Sequence, residues 1–209
     1  VDEQGSIMMV SDEPYPAYSR PLISEHLAEG CSLERMLYRP TDFYERNLIS
    51  TILSQKARSL DVTNRTLTLD SGSTISWQKL LLATGGLPIV PPLKGSEREG
   101  IFTFTTLDDA KAIDRHLDET GRVVVIGGGL IGVSVTEALV KRGVQVIIVE
   151  MKDRVLNTIL DEEISALAAG ALRQAGVEII TDHVVAEING RGGRVHGVTL
   201  DNGARIPCE

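Results

Sequence analysis

The chain has almost no cysteine, few aromatics, no excess of positive charge and no long apolar run. Each scarcity removes a class of protein. The two cysteines, Cys31 and Cys208, lie far apart among 209 residues, so neither a CxxC redox pair nor a zinc-ligand pair can be read from them. They read as free thiols of a reducing cytosol, which places the protein in the cytoplasm. The four histidines, His26, His116, His183 and His196, show no metal-ligand spacing, and no metal site is expected. Aromatic residues make up only 4%, so the core must be aliphatic. The net charge is −8, with no Lys/Arg run, which disfavours nucleic acid and anionic membrane surfaces as partners. The longest apolar run, Val144 to Val149 with Gln145 inside it, is far too short to span a bilayer. The opening "VDEQGS" has neither a basic nor an apolar signal region.

What is present is a strand–turn–helix–strand unit, "RVVVIGGGLIGVSVTEALVKRGVQVIIVE", from Arg122 to Glu150. Its spacing is Gly127-x-Gly129-x-x-Gly132, with Leu130 and Ile131 between the last two glycines. Gly127 permits the tight turn out of the strand, Gly129 leaves room for a pyrophosphate, and Gly132 allows close helix–strand packing. The N–H groups at the helix start then face the phosphates, assisted by the helix dipole. Glu150 ends the next strand, at about the 20-residue distance expected of the acid that accepts ribose hydroxyls. A carboxylate there repels a 2′-phosphate and favours NADH over NADPH. Lys152 and Arg154 stand close enough to soften that preference.

The rest of the chain repeats the plan. "SIMMV" (Ser6–Val10) reads as a buried parallel strand followed by acids. "SEHLAEG" reads as a short helix stopped by Gly30, and "RPTDFYERN" as another capped by Thr41 or Asp42. "LDSGS" reads as a hairpin turn, "KLLLATG" as a buried strand entering a glycine corner, and "LPIVPP" as a break. "TLDDAKAIDRHLDETG" predicts an amphipathic helix capped by Thr106, with Leu107, Ala110, Ile113 and Leu117 on one face. A helix from about Val133 to Arg142, ended by Gly143, follows the glycine turn. "SIMMVSDE" matches "VQVIIVEMKD" in place, and "TLTLDSGSTISW" matches "GVTLDNGARIPCE". The chain therefore holds two copies of one nucleotide-binding plan. The first copy begins at its second strand, and the second ends before its counterpart of "KLLLATG". The expected fold is α/β: two Rossmann-like three-layer dinucleotide-binding domains, over 1–105 and 106–209, both incomplete in this chain.

Three motifs, "YSRPLIS" (Tyr18–Ser24), "LLLATGGLPIVPP" (Leu80–Pro92) and "VVVIGGGLIG" (Val123–Gly132), carry a resemblance over essentially the whole chain. The chain resembles the FAD- and NAD-dependent pyridine nucleotide-disulfide oxidoreductase superfamily. It looks most like the branch of ferredoxin and rubredoxin reductases, apoptosis-inducing factor and the flavin part of nitrite reductase. The resemblance implies that a first FAD glycine motif lies upstream and a further region downstream. It implies that Asp12, with Glu13 as the alternative, holds the FAD ribose. It implies that Arg20 and Pro21 pass near the flavin and its phosphates, that the Ala57 backbone meets the adenine, and that Ala83, Thr84 and Gly85 form the second FAD motif.

Two departures stand out against that branch. Disulfide-reducing members carry a redox cysteine near the level of Leu22, and this chain has none there, which argues against thiol–disulfide exchange. The glutamate that often follows the NAD motif is Ser134 here, which supplies no carboxylate, and a lysine of some relatives is Glu25. The implied activity is electron transfer from NADH through FAD to an acceptor, with no side chain acting as acid or base. The acceptor would be a small electron-carrier protein such as rubredoxin or ferredoxin, or oxygen, or an iron–sulfur or siroheme partner domain; a homodimer is compatible with this reading. The alternatives are an NAD-binding module, a redox-sensing interaction protein without efficient turnover, or a Rossmann enzyme using S-adenosylmethionine or NADP. The duplicated plan and "LLLATGG" argue against the last.

Overall fold

A computed structural model of the chain describes residues 5–117 and 121–209. The last residues of the predicted amphipathic helix, Asp118 to Thr120, and the opening four residues lie outside them. The elements in chain order are β1 (Ile7–Val10), a 3-10 turn (Arg20–Leu22), α1 (Ile23–Glu29), α2 (Leu33–Met36), α3 (Phe43–Arg46) and β2 (Ile49–Ile52). Then come β3 (Ala57–Asp61), β4 (Thr66–Leu69), β5 (Thr74–Ser76), α4 (Leu107–Leu117), β6 (Arg122–Ile126), α5 (Leu130–Lys141) and β7 (Gln145–Val149). The last are α6 (Glu162–Gln174), β8 (Glu178–Ile180), β9 (Val185–Arg191), β10 (Arg194–Leu200) and β11 (Arg205–Pro207). Two compact units result: Val1–Ser19 with Ser32–Gly86, and Arg20–Cys31 with Leu87–Glu209.

The second unit has three layers. β6, β7 and β8 form a parallel sheet in that order, with Val123↔Val146 and Ile148↔Ile179 in register. β9, β10 and β11 form an antiparallel sheet. Ile147 and Val149 pack with Val185, Ile188, Val198, Leu200 and Ile206, an aliphatic core as the composition requires. α5 packs on β6 and β7, and α1 packs on both α4 and α5, burying Leu27, Leu107 and Leu139. Each such leucine stabilises the unit by about 1.5–3 kcal/mol relative to an exposed one.

α4 follows its pattern closely: Leu107, Ala110, Ile113 and Leu117 are all buried. Its start is a reciprocal cap. The Asp109 N–H donates to Thr106 Oγ1 (3.1 Å), and the Thr106 N–H donates to the Asp109 carboxylate (3.0 Å). Thr106→Ala is expected to lower stability by about 1 kcal/mol, the usual cost of an N-cap hydroxyl. A urea titration would show this as a lower midpoint with an unchanged slope.

The first unit repeats part of the second, with matching hydrogen bonds among the described residues. β1 and β2 pair in parallel, as β7 and β8 do, and β3–β4–β5 form an antiparallel sheet, as β9–β10–β11 do. The Ser11 N–H donates to the Ile52 carbonyl (2.9 Å) as Glu150 does to Ile180 (2.8 Å). Asp70 N–H donates to Lys56 (2.9 Å) as Asp201 does to Val184 (3.0 Å). Ser54 and Asp182 even share a left-handed backbone, at φ 57° and 59°.

Four expectations are corrected. "SIMMV" is a parallel strand but not a buried one, since Ile7 and Met8 are 60% and 48% exposed. Parallel strands are buried only when both faces are covered, and β1 has just β2 beside it among the described residues. "KLLLATG" forms no strand, and Leu81 is 87% exposed. A strand exists through a partner's backbone groups, and no described strand pairs with this segment. The helix expected from Val133 begins at Leu130, directly on Gly129. "RPTDFYERN" shortens to Phe43–Arg46, with Asp42 at its N-cap making no side-chain cap bond there.

Candidate functional site

The glycine turn sits at the carboxyl end of β6, where a parallel sheet opens toward a ligand. Gly127 has φ 102°, a conformation an L side chain resists, and its N–H donates to the Val149 carbonyl (2.8 Å). A Cβ on Gly132 would lie 1.9 Å from the Gly127 carbonyl oxygen, so only hydrogen fits there. A Cβ on Gly129 would meet nothing within 4 Å. Space is thus open beside Gly129, while Gly132 is closed by packing. Leu130 and Ile131 open α5 with exposed side chains, and their N–H groups belong to the helix's first, intrahelically unpaired turn. Ser134 lies one turn further along, half-buried.

Glu150 is 7% exposed, a buried acid that must be satisfied. Its Oε2 accepts the Gly128 N–H (2.6 Å) and its Oε1 accepts the Lys152 N–H (2.8 Å). The carboxylate thus ties the glycine turn to the turn after β7. A carboxylate offers about four acceptor directions. Two are used here, which leaves capacity for two ribose hydroxyls. Of the two cations set against that preference, Arg154 is already paired with Asp153 (2.7 Å), whereas Lys152 is exposed. No group of metal-ligating side chains stands together among the described residues.

The residues singled out in the first half are less tightly gathered. Register places Ser11, not Asp12, level with Glu150, and Ser11 Oγ accepts the Glu13 N–H (3.2 Å) as Glu150 accepts that of Lys152. Asp12 follows, exposed, and no described group bonds its carboxylate. Glu13 receives the hydroxyl of the buried Tyr18. Ala57 begins β3, opposite Leu69. Ala83, Thr84 and Gly85 are exposed and irregular, with Gly85 at φ 67°. Arg20 and Pro21 fall in the second compact unit, where the Arg20 guanidinium donates to the Thr105 carbonyl. Sequence reasoning did not single out the backbone donors to Glu150, which leave no mark in residue identity, or the role of Asp109, which the Thr106-x-x-Asp109 spacing of a capping box could have signalled.

Residues 2–209 match the family model described as pyridine nucleotide-disulphide oxidoreductase. The chain belongs to that family. Membership of the pyridine nucleotide-disulphide oxidoreductases supports FAD and NAD(H) as the cofactors. The glycine turn and Glu150 fit the second of these by space and by hydrogen-bonding capacity. The chain is 32% identical over its whole length to the NADH-dependent phenylglyoxylate dehydrogenase subunit epsilon of Aromatoleum evansii, covering 49% of that protein. It is 31% identical over 99% of its length to rubredoxin-NAD(+) reductase of Pseudomonas putida, covering 54% of it. Its fold matches the ferredoxin reductase of the CYP199A2 system from Rhodopseudomonas palustris with a TM-score of 0.92, at 30% identity, over 98% of this chain and 51% of that one. The chain thus spans about half the length of the relatives it matches. Among the described residues no helix is long and apolar enough to cross a membrane.

Proposed function

We propose that the protein carrying this chain is a flavin-dependent oxidoreductase that passes electrons from NADH to a small electron-carrier protein. The observation that carries the reading is Glu150, a buried carboxylate bonded to the glycine turn with acceptor capacity to spare. On this reading Gly127, Gly129, Leu130, Ile131 and Gly132 bind the NADH pyrophosphate, Glu150 binds the adenosine ribose, and Ser134 lies toward the nicotinamide. Residues 1–105 would contribute to the FAD site and 106–209 to the NADH site. FAD bound there would supply the chemistry that links hydride donation by NADH to one-electron transfer to a carrier. The chain's part is to bind, orient and exclude water. A rubredoxin, a ferredoxin or an iron–sulfur or siroheme domain suits as acceptor, and the names of the relatives support this class. The cytoplasm is the compartment proposed, and a homodimer is compatible with it.

For FAD, Asp12, exposed just after β1, is the proposed ribose acid, with Glu13, whose carboxylate accepts the Tyr18 hydroxyl, as the alternative. Arg20, Pro21, Ala57, Ala83, Thr84 and Gly85 complete the proposed contacts. Trp77, the sole tryptophan, lies in the first unit and can report FAD binding by quenching. Asp12→Asn is expected to weaken FAD binding about tenfold, the scale of a lost charge-assisted hydrogen bond. Glu13→Gln should change it less than twofold. The reverse order would move the ribose contact to Glu13.

The reading as a whole is tested by the visible spectrum of the chain with FAD, repeated anaerobically after NADH. A flavin spectrum that bleaches supports it. A chain that binds NADH but gains no flavin would make this piece an NAD-binding module.

A further inference from the structure

The turn bearing Glu150 is gripped from two sides. One grip is the glycine turn, through Gly128. The other is the loop after β8. The His183 N–H donates to the Glu150 carbonyl (3.3 Å), and the Asp182 N–H donates to the Lys152 carbonyl (3.0 Å). Two successive amides thus hold the carbonyls on either side of Met151. The grip sets Asp182 at φ 59°, in the left-handed region that aspartate enters more readily than most residues, as Ser54 does in the first unit.

The His183 side chain ties this loop to a second turn. Its Nδ1 stands 2.8 Å from Asp201 Oδ1, and its Nε2 stands 3.2 Å from Asn202 Nδ2. Asn202 Oδ1 accepts the Ala204 N–H (2.9 Å), which orients the amide so that its NH2 faces the imidazole. Nε2 is then the acceptor, and Nδ1 carries the proton and donates it to Asp201. The imidazole in turn holds the Asp201 carboxyl below its ordinary value. Asp201 is itself anchored, since its N–H donates to the Val184 carbonyl (3.0 Å). The bracket therefore joins the β8–β9 loop to the β10–β11 turn through one ring.

The first unit provides the internal comparison. There Gln55 occupies the place of His183, with its N–H on the Ser11 carbonyl (3.0 Å), and Asp70 occupies that of Asp201. The Gln55 amide donates instead to its own neighbour, the Ser54 carbonyl (3.1 Å). The backbone grip is common to both copies. The side-chain bracket accompanies the copy whose turn carries a buried carboxylate.

We infer that His183 is a positioning residue for the coenzyme: bracketed by Asp201 and Asn202, it fixes the loop that sets Glu150, and so sharpens the choice of NADH over NADPH. The inference rests on the reading of Glu150 as the ribose acid. The test is titration of the chain with NADH and with NADPH by fluorescence, for the wild type and for His183→Ala, His183→Asn, Asp201→Asn and Glu150→Gln. His183→Ala is expected to weaken NADH about tenfold and NADPH little, so that the preference falls. His183→Asn keeps a donor near the Nδ1 position and should retain most of the preference. Asp201→Asn keeps the volume and should lower the preference even if His183→Ala does not fold. Equal weakening of both coenzymes, or no change in either, would overturn the inference and leave His183 a purely structural residue. If Glu150→Gln leaves the preference untouched, or the wild type has none, the ribose reading itself fails and takes the inference with it.

Discussion

Gly132→Ala should cost the chain both stability and NADH affinity, whereas Gly129→Ala should cost affinity alone. The added methyl at Gly132 would stand 1.9 Å from the Gly127 carbonyl oxygen. That oxygen has little freedom to retreat, because the Gly127 N–H is bonded to Val149 at the end of the neighbouring strand. Helix α5 must therefore move away from β6, and overpacking of this kind costs about 1–3 kcal/mol. Displacing the helix also withdraws its first N–H groups from the phosphates, and NADH affinity should drop by about a hundredfold, close to 3 kcal/mol. At Gly129 the methyl meets nothing in the free chain, so the urea midpoint should stay unchanged while NADH binding is lost to a similar extent. Urea unfolding and NADH fluorescence titration of the two variants separate the roles. Equal loss of stability in both would mean that Gly129 is also a packing glycine and that the open space is not a ligand's.

Glu150→Ala is the second large effect. It removes the acceptor of the Gly128 and Lys152 N–H groups, the first of them in a buried residue. An unsatisfied buried donor costs about 1–3 kcal/mol, so destabilisation of that order is expected even without coenzyme. Glu150→Gln, which keeps the shape and one acceptor, should cost less. Both should narrow the gap between NADH and NADPH by tenfold or more, because the charge that opposes a 2′-phosphate is gone. A variant that loses stability yet keeps its NADH preference would assign Glu150 to the turn alone.

Much of this was legible in the chain. The glycine spacing, the acid at the end of β7 and the face of α4 with Leu107, Ala110, Ile113 and Leu117 are local patterns. They depend on spacings of one to a few turns, and the residue types that meet them are few. The duplication was legible too, because each copy repeats the same order of apolar runs and turn residues. It was legible only to within a residue, however. Which residue of "SDE" stands level with Glu150 was not: it is Ser11, because register is decided by which carbonyl each N–H reaches across the sheet.

Tertiary structure decided the rest. "KLLLATG" has the composition of a strand, yet a strand is a relation between two segments, and among the described residues the second segment is absent. Glu150 could be named from sequence as a ribose acid, but not as the clasp of the glycine turn. Its partners are backbone amides, which every residue but proline carries alike. The same holds for His183. Four scattered histidines look equivalent in a sequence, and only the folding of two distant turns onto one ring sets this one apart. Residue identity and spacing determine what a segment can become; which of its polar groups are already spent, and which remain for a ligand, depends on contacts made across the chain.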